Sequence, residues 1–415
     1  MQSQCPFKLA EFAEKHFDHH SPEYRSHSYE IFDYLRANCP VTRSDQHGGY
    51  WVLTRYEDIM RVAQDDETFK SSEGITIPAV RSPDGRPMTI PIDTDPPMHR
   101  PYRRLVDPLV APKAMQGYEA FLRKLTTELV DGFIEKGEAD LSRDLGSPLT
   151  SIFTMKVAGL PLEDWQLFAD PIQRSIAGVG NPEEIAARYE EARQRIPKEI
   201  ARQRVTPVEG GAIAALIKAE VEDPVQGRRK LEDWEITAFI WLFVVGGVDT
   251  TQALMGNMFV WLARNPERRQ WLIDHPDDVG EAIEEFLRFF TPQQALARTA
   301  TRDVEIGGKQ IRAGDRVYIP WVAGNRDPEQ FERPNEVDFN RDGNPHMAFG
   351  VGAHRCMGSN VARTEIRLAL QEVLARLPDY TLVEEQTALS PDVGIVYAYK
   401  AVPIRFKAGR KALAA

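Results

Sequence analysis

The sequence predicts a mainly α-helical protein with small β-sheets, and three observations carry that prediction. Residues 99–290 are dominated by apolar positions recurring with helical period. β-like runs are short and lie on either side of that region. Residues 71–98 are rich in Pro, Gly and Ser and show little periodicity of either kind. With 42% hydrophobic and 27% charged residues among 415, the chain can bury a large core and still enclose a cavity.

Taken in order, the elements begin with a polar N-terminal arm over residues 1–20. Ser21 reads as an N-cap with Pro22 at the first helical position, opening a helix that runs to about Cys39. Tyr50-Trp51-Val52-Leu53-Thr54 reads as a strand. The loop over 71–98 is long enough to suggest a functional role. Helical periodicity is clearest over 115–136, 183–203, 231–264 and 277–290, and Ala177-Gly178-Val179-Gly180-Asn181-Pro182 interrupts it as a candidate hinge. Short strands follow at 304–306, 309–311 and 316–319. A final helix is predicted from about Cys356 to Leu377, with strands after it. Residues 1–415 are read as one domain.

Composition narrows the function. Lys and Arg number 51 against 62 Asp and Glu, a net charge of −11 that argues against non-specific nucleic-acid binding. The three cysteines, Cys5, Cys39 and Cys356, form neither a disulfide framework nor a CxxC metal pattern, which points to a reducing cytoplasm. No basic region followed by an apolar run marks the N-terminus as a secretion signal. The apolar stretch 236–248 holds two glycines and is too short to span a bilayer, so a helix buried on all sides is expected there. His16, His19 and His20 lie in the polar arm and read as solvated rather than metal-ligating.

One cysteine stands out. Cys356 sits in Phe349-Gly350-Val351-Gly352-Ala353-His354-Arg355-Cys356-Met357-Gly358, where Gly350, Gly352 and Gly358 permit positive φ and close backbone approach. A helix starting there directs its N–H groups and dipole at the sulfur, favouring a thiolate. Such a thiolate is a fitting axial ligand for haem iron and supports O–O cleavage. The frame FxGxHxCxG resembles the signature of the cytochrome P450 family, and the resemblance extends over nearly the whole chain. It implies the family's fold, with haem b between a central long helix and the cysteine-loop helix. It also implies that the whole of 1–415 is one catalytic domain.

The resemblance assigns further roles. Glu285 and Arg288, three apart on one helix face, match the family's ExxR pair, with Arg341 as the downstream partner that locks it. In Gly246-Gly247-Val248-Asp249-Thr250-Thr251, the glycines would thin the helix wall beside the haem. Asp249 and Thr250 would be the acid–alcohol pair, Asp249 relaying protons and Thr250 steadying reduced oxygen; the alternative is glycine-mediated helix packing with Thr250 bonded to its own backbone. His99, Arg103, Arg298 and His354 resemble the family's haem-propionate contacts, and Phe349 and Gly350 belong to the cofactor loop. Asn325-Arg326-Asp327-Pro328 reads as structural.

No flavin, dinucleotide or iron–sulfur fingerprint is present, so electrons are expected from a separate ferredoxin with an NAD(P)H-dependent reductase. Arg100, Arg103, Arg104, Arg355 and Arg363 would form its docking face. By family position the substrate pocket would draw on Ile75, Thr76, Ile77 and Ile90. Phe243, Val244 and Gly246 would join from the central helix, then Gln294, Ala295, Leu296, Ile395 and Val396. The central-helix motif and Gly394-Ile395-Val396 are similar to the bacterial camphor-hydroxylase branch, which favours a small, terpenoid-like apolar substrate. The expected enzyme is a cytoplasmic, monomeric, dioxygen-dependent hydroxylase. A hydrogen-peroxide-driven peroxygenase and a non-catalytic haem sensor or carrier are the competing readings, and the acid–alcohol pair argues against both.

Overall fold

A computed structural model describes residues 8–82 and 84–413. Helices dominate, and local chemistry explains where several start. Ser21 Oγ accepts the Tyr24 N–H at 3.0 Å and opens the helix Pro22–Asn38. Asn181 Oδ1 accepts from Glu183 and Glu184 N–H to open Pro182–Val205. Glu232 and Glu235 form a capping box at the head of Asp233–Val248.

Two hydrophobic cores organise the chain. The larger lies among the helices and includes Phe153, Phe239, Val244, Phe259 and Phe286. The smaller packs on a five-stranded sheet whose order is Val41–Ser44, Tyr50–Leu53, Arg316–Ile319, Leu296–Ala300, Phe69–Lys70. Its pairs are antiparallel except Arg316–Ile319 with Tyr50–Leu53. The loop over 71–98 is stitched to both units: Ala297 N–H donates to Ile75 O at 2.7 Å, and Ile90 N–H to Ala238 O at 3.3 Å.

Several expectations change. The start of the arm, residues 1–7 with Cys5, lies outside the described residues. The rest is not a solvated arm: Leu9–Lys15 is a helix, and Ala13, Phe17 and His19 are buried. Phe17 packs edge-on against Tyr24 at 5.7 Å, so burial of aromatic area pulls the segment in. The predicted helix 231–264 is interrupted at Asp249 into Asp233–Val248 and Thr250–Arg264. By length and composition the combined stretch could cross a membrane, but it is largely buried inside the protein, as a core helix is. Ser147–Ala158 and Trp165–Ile176 were not among the segments of clearest periodicity. The first is buried around almost its whole circumference and therefore has no amphipathic stripe. The last helix begins at Ser359 rather than at Cys356.

Candidate active site

The cysteine loop is held by its own backbone. Cys356 N–H donates to Phe349 O at 2.7 Å. Gly350 and Gly352 have φ of 65° and 75°, and a Cβ on Gly352 would lie 2.6 Å from Ala63 O, so both positions require glycine. Gly358, with φ of −78°, needs no such freedom. Its amide instead bonds the Cys356 sulfur. Burial raises the Cys356 thiol pKa, and the Gly358 amide with the charges of Arg103, Arg355 and Arg363 recovers only part of that cost. The sulfur sits ahead of the helix rather than on its first turn. The expectation that a helix starting at Cys356 directs its dipole at the sulfur is therefore corrected: the Gly358 amide and the three arginines are the donors and charges that favour a thiolate here.

Cys356 is accessible to solvent-sized contact although protein surrounds it, which is the signature of a residue lining an internal cavity. Gly246, in the last turn of the most apolar helix, is likewise exposed, and a Cβ built there meets nothing within 4 Å. Gly247 behaves oppositely. Its Cβ would collide with Thr154 Oγ1. Only Gly246 thins the wall, and Gly247 serves close helix packing.

The helix break follows at once. Asp249 has φ of −109° and ψ of −41°. Thr150 Oγ1 reaches across from Ser147–Ala158 and donates to Val248 O at 2.8 Å. Thr250 Oγ1 donates to Gly246 O at 3.0 Å, the own-backbone bond of the alternative reading. That bond leaves the oxygen's lone pairs open to a further partner. Asp249 is buried, its Oδ2 has no partner, and desolvation pushes its pKa up to about 7. A second buried acid, Glu365, has an unpartnered Oε1 and a pKa raised well above its ordinary value. Neither Thr150 nor Glu365 was singled out from sequence. An acid beside Ile366 on a buried helical stripe was the available signal for Glu365, whereas Thr150 offered none.

Four predicted residues converge near one another. The His99 and His354 rings lie 4.1 Å apart, and His99 Nε2 and His354 Nδ1 are buried without partners. Arg298 is buried with a single bond, to Ala297 O at 2.9 Å. Burial, then Arg298, His99 and Arg103, depress the His354 pKa to about 2. Arg103 also reaches Asp107 at 2.5 Å. Buried donors and cations left unsatisfied together make a fitting receptor for an anionic pair. With the accessible thiol nearby, these residues fit a haem and its two carboxylates.

The supporting acid is fully saturated. Glu285 accepts from Arg288 at 2.7 and 2.8 Å, Arg341 at 3.0 Å, Asp338 N–H at 2.9 Å and Asn344 at 3.2 Å. Asn325 bridges Thr291 and the Met347 amide at the entrance to the cysteine loop.

The pocket candidates divide. Ile75, Thr76, Leu296 and Ile395 are only partly buried, and backbone bonds bring them alongside one another: Ile75 O accepts from Ala297, and Ile395 O from Gln294 at 3.0 Å. Ile90, Phe243 and Val244 are packed into the helical core, Ile77 and Ala295 into the sheet-side core. Val396 is buried in a bridge to Gln293. Gln294 is buried and spends its amide on Phe290 O and Thr291 O. Of the docking arginines, Arg100, Arg104 and Arg355 are exposed and carry no ion pair among the described residues. Arg363 is withdrawn: both of its terminal contacts to Glu284 are 2.6 Å, and it stacks on Phe349.

Comparison with known proteins agrees with this geometry. The cytochrome P450 family profile matches residues 279–390. "Cytochrome P450 130" of Mycobacterium tuberculosis is 33% identical over 82% of this chain and 85% of its own length. The "Methyl-branched lipid omega-hydroxylase" of Mycobacterium bovis is 30% identical over 86% of this chain and 84% of its own. The crystal structure of CYP109E1 from Bacillus megaterium in complex with testosterone superposes with a TM-score of 0.82 at 28% identity, covering 95% of this chain and all of that one (100%). A thiol in a glycine-shaped loop, a broken central helix above it and relatives of this closeness together establish that the chain belongs to the cytochrome P450 family of haem-dependent monooxygenases.

Proposed function

We propose that this P450 inserts one oxygen atom of dioxygen into a small apolar substrate, with terpenoid-like scaffolds as the first class to test. The observation that carries the reading is the unpartnered Asp249 Oδ2 at a helix break, close in sequence to Thr250 and to Gly246, whose Cα faces open space. When bound, the haem supplies dioxygen reduction and the oxidising power for insertion. Cys356 Sγ would bind its iron. His99, Arg103, Arg298 and His354 would hold its carboxylates, and Phe349 and Gly350 would shape the loop that carries the cysteine. Glu285, Arg288 and Arg341 hold that framework together.

Asp249 and Thr250 move protons. With a pKa of about 7, Asp249 can take a proton and release it near neutral pH. Thr250 Oγ1 passes it on, keeping its bond to Gly246 O as an anchor. Ile75, Thr76, Leu296, Ile395 and Gly246 present apolar surface to substrate and exclude water. Arg100, Arg104 and Arg355 attract an acidic, ferredoxin-type electron donor served by an NAD(P)H-dependent reductase. The whole chain acts as one catalytic domain, monomeric and cytoplasmic.

Two relatives widen the substrate test, since one is named for a methyl-branched lipid and another was crystallised with testosterone. The experiment is a spectral titration of the ferric holoenzyme with terpenoids, steroids, fatty acids and small aromatics, followed by turnover with a ferredoxin system. A terpenoid that displaces the iron-bound water and is hydroxylated supports the reading. Preference for a long-chain acid or a steroid overturns its terpenoid part. Turnover that runs equally well on hydrogen peroxide alone overturns the dioxygen-dependent part.

A further inference from the structure

His20 makes two contacts that one neutral ring cannot both satisfy as donor. Its Nδ1 lies 2.7 Å from Asp392 Oδ2 and its Nε2 lies 3.0 Å from Ile77 O. A carboxylate and a carbonyl are both acceptors, whereas neutral imidazole carries a single N–H. Only the imidazolium completes both bonds.

The two partners come from segments far apart in sequence. Ile77 closes the stretch that presents Ile75 and Thr76, and Asp392 opens the one that presents Ile395 and Val396. Gly394, whose N–H donates to Asp392 Oδ1 at 2.8 Å, is pressed so closely on the His19 backbone that a Cβ there would overlap His19 O. Arg25 adds a bond to Ser390 O at 2.7 Å. The N-terminal segment is thus the third piece that joins the loop to the C-terminal hairpin, in which Ala388–Leu389 pairs antiparallel with Tyr399–Ala401.

The groups around the ring favour its charged form. Asp18, on the same segment, accepts the His20 backbone N–H at 3.0 Å and pairs with His47, which comes from the turn between the first two strands. His19 packs against His20 in a tilted arrangement with ring centroids 4.1 Å apart, and its own pKa is depressed to about 3, so it adds no positive charge near neutral pH. His47 lies 5.9 Å away on the other side. Tyr50 and Tyr318 face His19, at 6.2 and 4.7 Å. Burial opposes the charge on His20, but the bond and charge of Asp392, then Ile77 O and Asp18, outweigh it and raise the pKa above 6.5.

We infer that His20 is a positioning residue whose imidazolium clips the 71–98 loop to the C-terminal hairpin and so sets how closed the substrate pocket is. The link to the pocket rests on the reading that Ile75, Thr76, Ile395 and Val396 flank the substrate. The clip is complete below the ordinary histidine pKa and is lost as pH rises through the raised value in the folded protein.

Two measurements on the holoenzyme test it between about pH 6 and 9. The first is amide hydrogen exchange over residues 72–79 and 390–397, corrected for the intrinsic pH dependence. Wild type should lose protection several-fold through the transition. His20→Ala should be unprotected throughout. His20→Gln, whose amide carries two N–H donors and does not titrate, should be protected at every pH. The second is carbon monoxide rebinding to the ferrous enzyme after photolysis, which reads pocket closure without needing the natural substrate. It should accelerate several-fold through the same transition in wild type and not in His20→Gln. Wild-type exchange that shows no such transition, or one retained in His20→Ala, overturns the clip. A normal exchange transition with pH-independent rebinding overturns the link between clip and pocket while leaving the haem site reading untouched.

Discussion

Glu285 and Asp249 are both carboxylates buried among helices, and the protein treats them in opposite ways. Glu285, 1% exposed, accepts five hydrogen bonds from Arg288, Arg341, Asn344 and the Asp338 amide, and its pKa falls. Asp249, 7% exposed, keeps an oxygen with no partner, and desolvation lifts its pKa to about 7. Complete satisfaction locks a charge into one state and makes it structural. An unsatisfied carboxyl is costly to bury as an anion and so stays poised between states, which is what proton transfer needs. What separates the two acids is hydrogen-bond supply, not burial, and the proposed roles follow that difference.

Breaking the satisfied site should have the largest effect. Arg288→Ala removes two of the five bonds to Glu285 and the donor that reaches the Asn325, Pro334 and Glu336 carbonyls; it should cost ~3–5 kcal/mol, read as a lower denaturant midpoint and loss of haem retention. If Arg288→Ala binds haem and unfolds like wild type, the contrast between the two acids collapses.

At the reactive site, Thr250→Ala should leave folding and haem content intact while product formed per electron pair falls by roughly an order of magnitude, with hydrogen peroxide appearing instead. Unchanged coupling would remove proton delivery from Thr250.

Asp249→Asn sharpens the comparison through pH. Because the folded pKa of about 7 lies above the ordinary 3.8, the native state holds a proton that the unfolded chain has released. Stability therefore declines as pH rises from about 4 to 7, by up to roughly 4 kcal/mol if the shift is fully expressed. The Asn variant should lose that decline and be the more stable protein at pH 8, while its turnover loses the inflection near pH 7. A wild-type stability profile without this decline would mean that Asp249 is solvated or paired in solution.

The smallest effect is a pair of opposite signs. Gly246→Ala faces open space and removes a helix glycine, so it should stabilise by up to about 1 kcal/mol while narrowing the cavity. Gly247→Ala meets Thr154 and should destabilise by about 1–3 kcal/mol. Thermal unfolding of both variants checks the assignment of the two faces.

Much of the site was legible because its signals are local. The glycine frame around Cys356, the three-residue spacing of Glu285 and Arg288, and the helix cap at Ser21 each act over a few residues. The convergence of His99 with His354 was accessible only through resemblance, since no local rule joins positions so far apart. Other features were misread for physical reasons. Gly246 and Gly247 look alike in sequence, but one helical step of about 100° turns one to the cavity and the other to Thr154. Arg363 looked like a free surface cation until Glu284 and Phe349 were found beside it. The histidines of the arm looked solvated because nothing in their neighbourhood of sequence announces Ile77 or Asp392.

The sequence alone determined the helical class, and it marked the candidate ligand thiol and the proposed acid–alcohol pair through family motifs, because periodicity, caps and short motifs are written over adjacent residues. Tertiary structure alone decided which buried groups are satisfied and which are left open. Glu285 is quieted by Asp338 and Arg341, brought from beyond the sheet, and nothing is brought to Asp249 Oδ2. The balance between desolvation and hydrogen bonding at a buried charge depends on every segment that packs around it, and that sum exists only once the chain has folded.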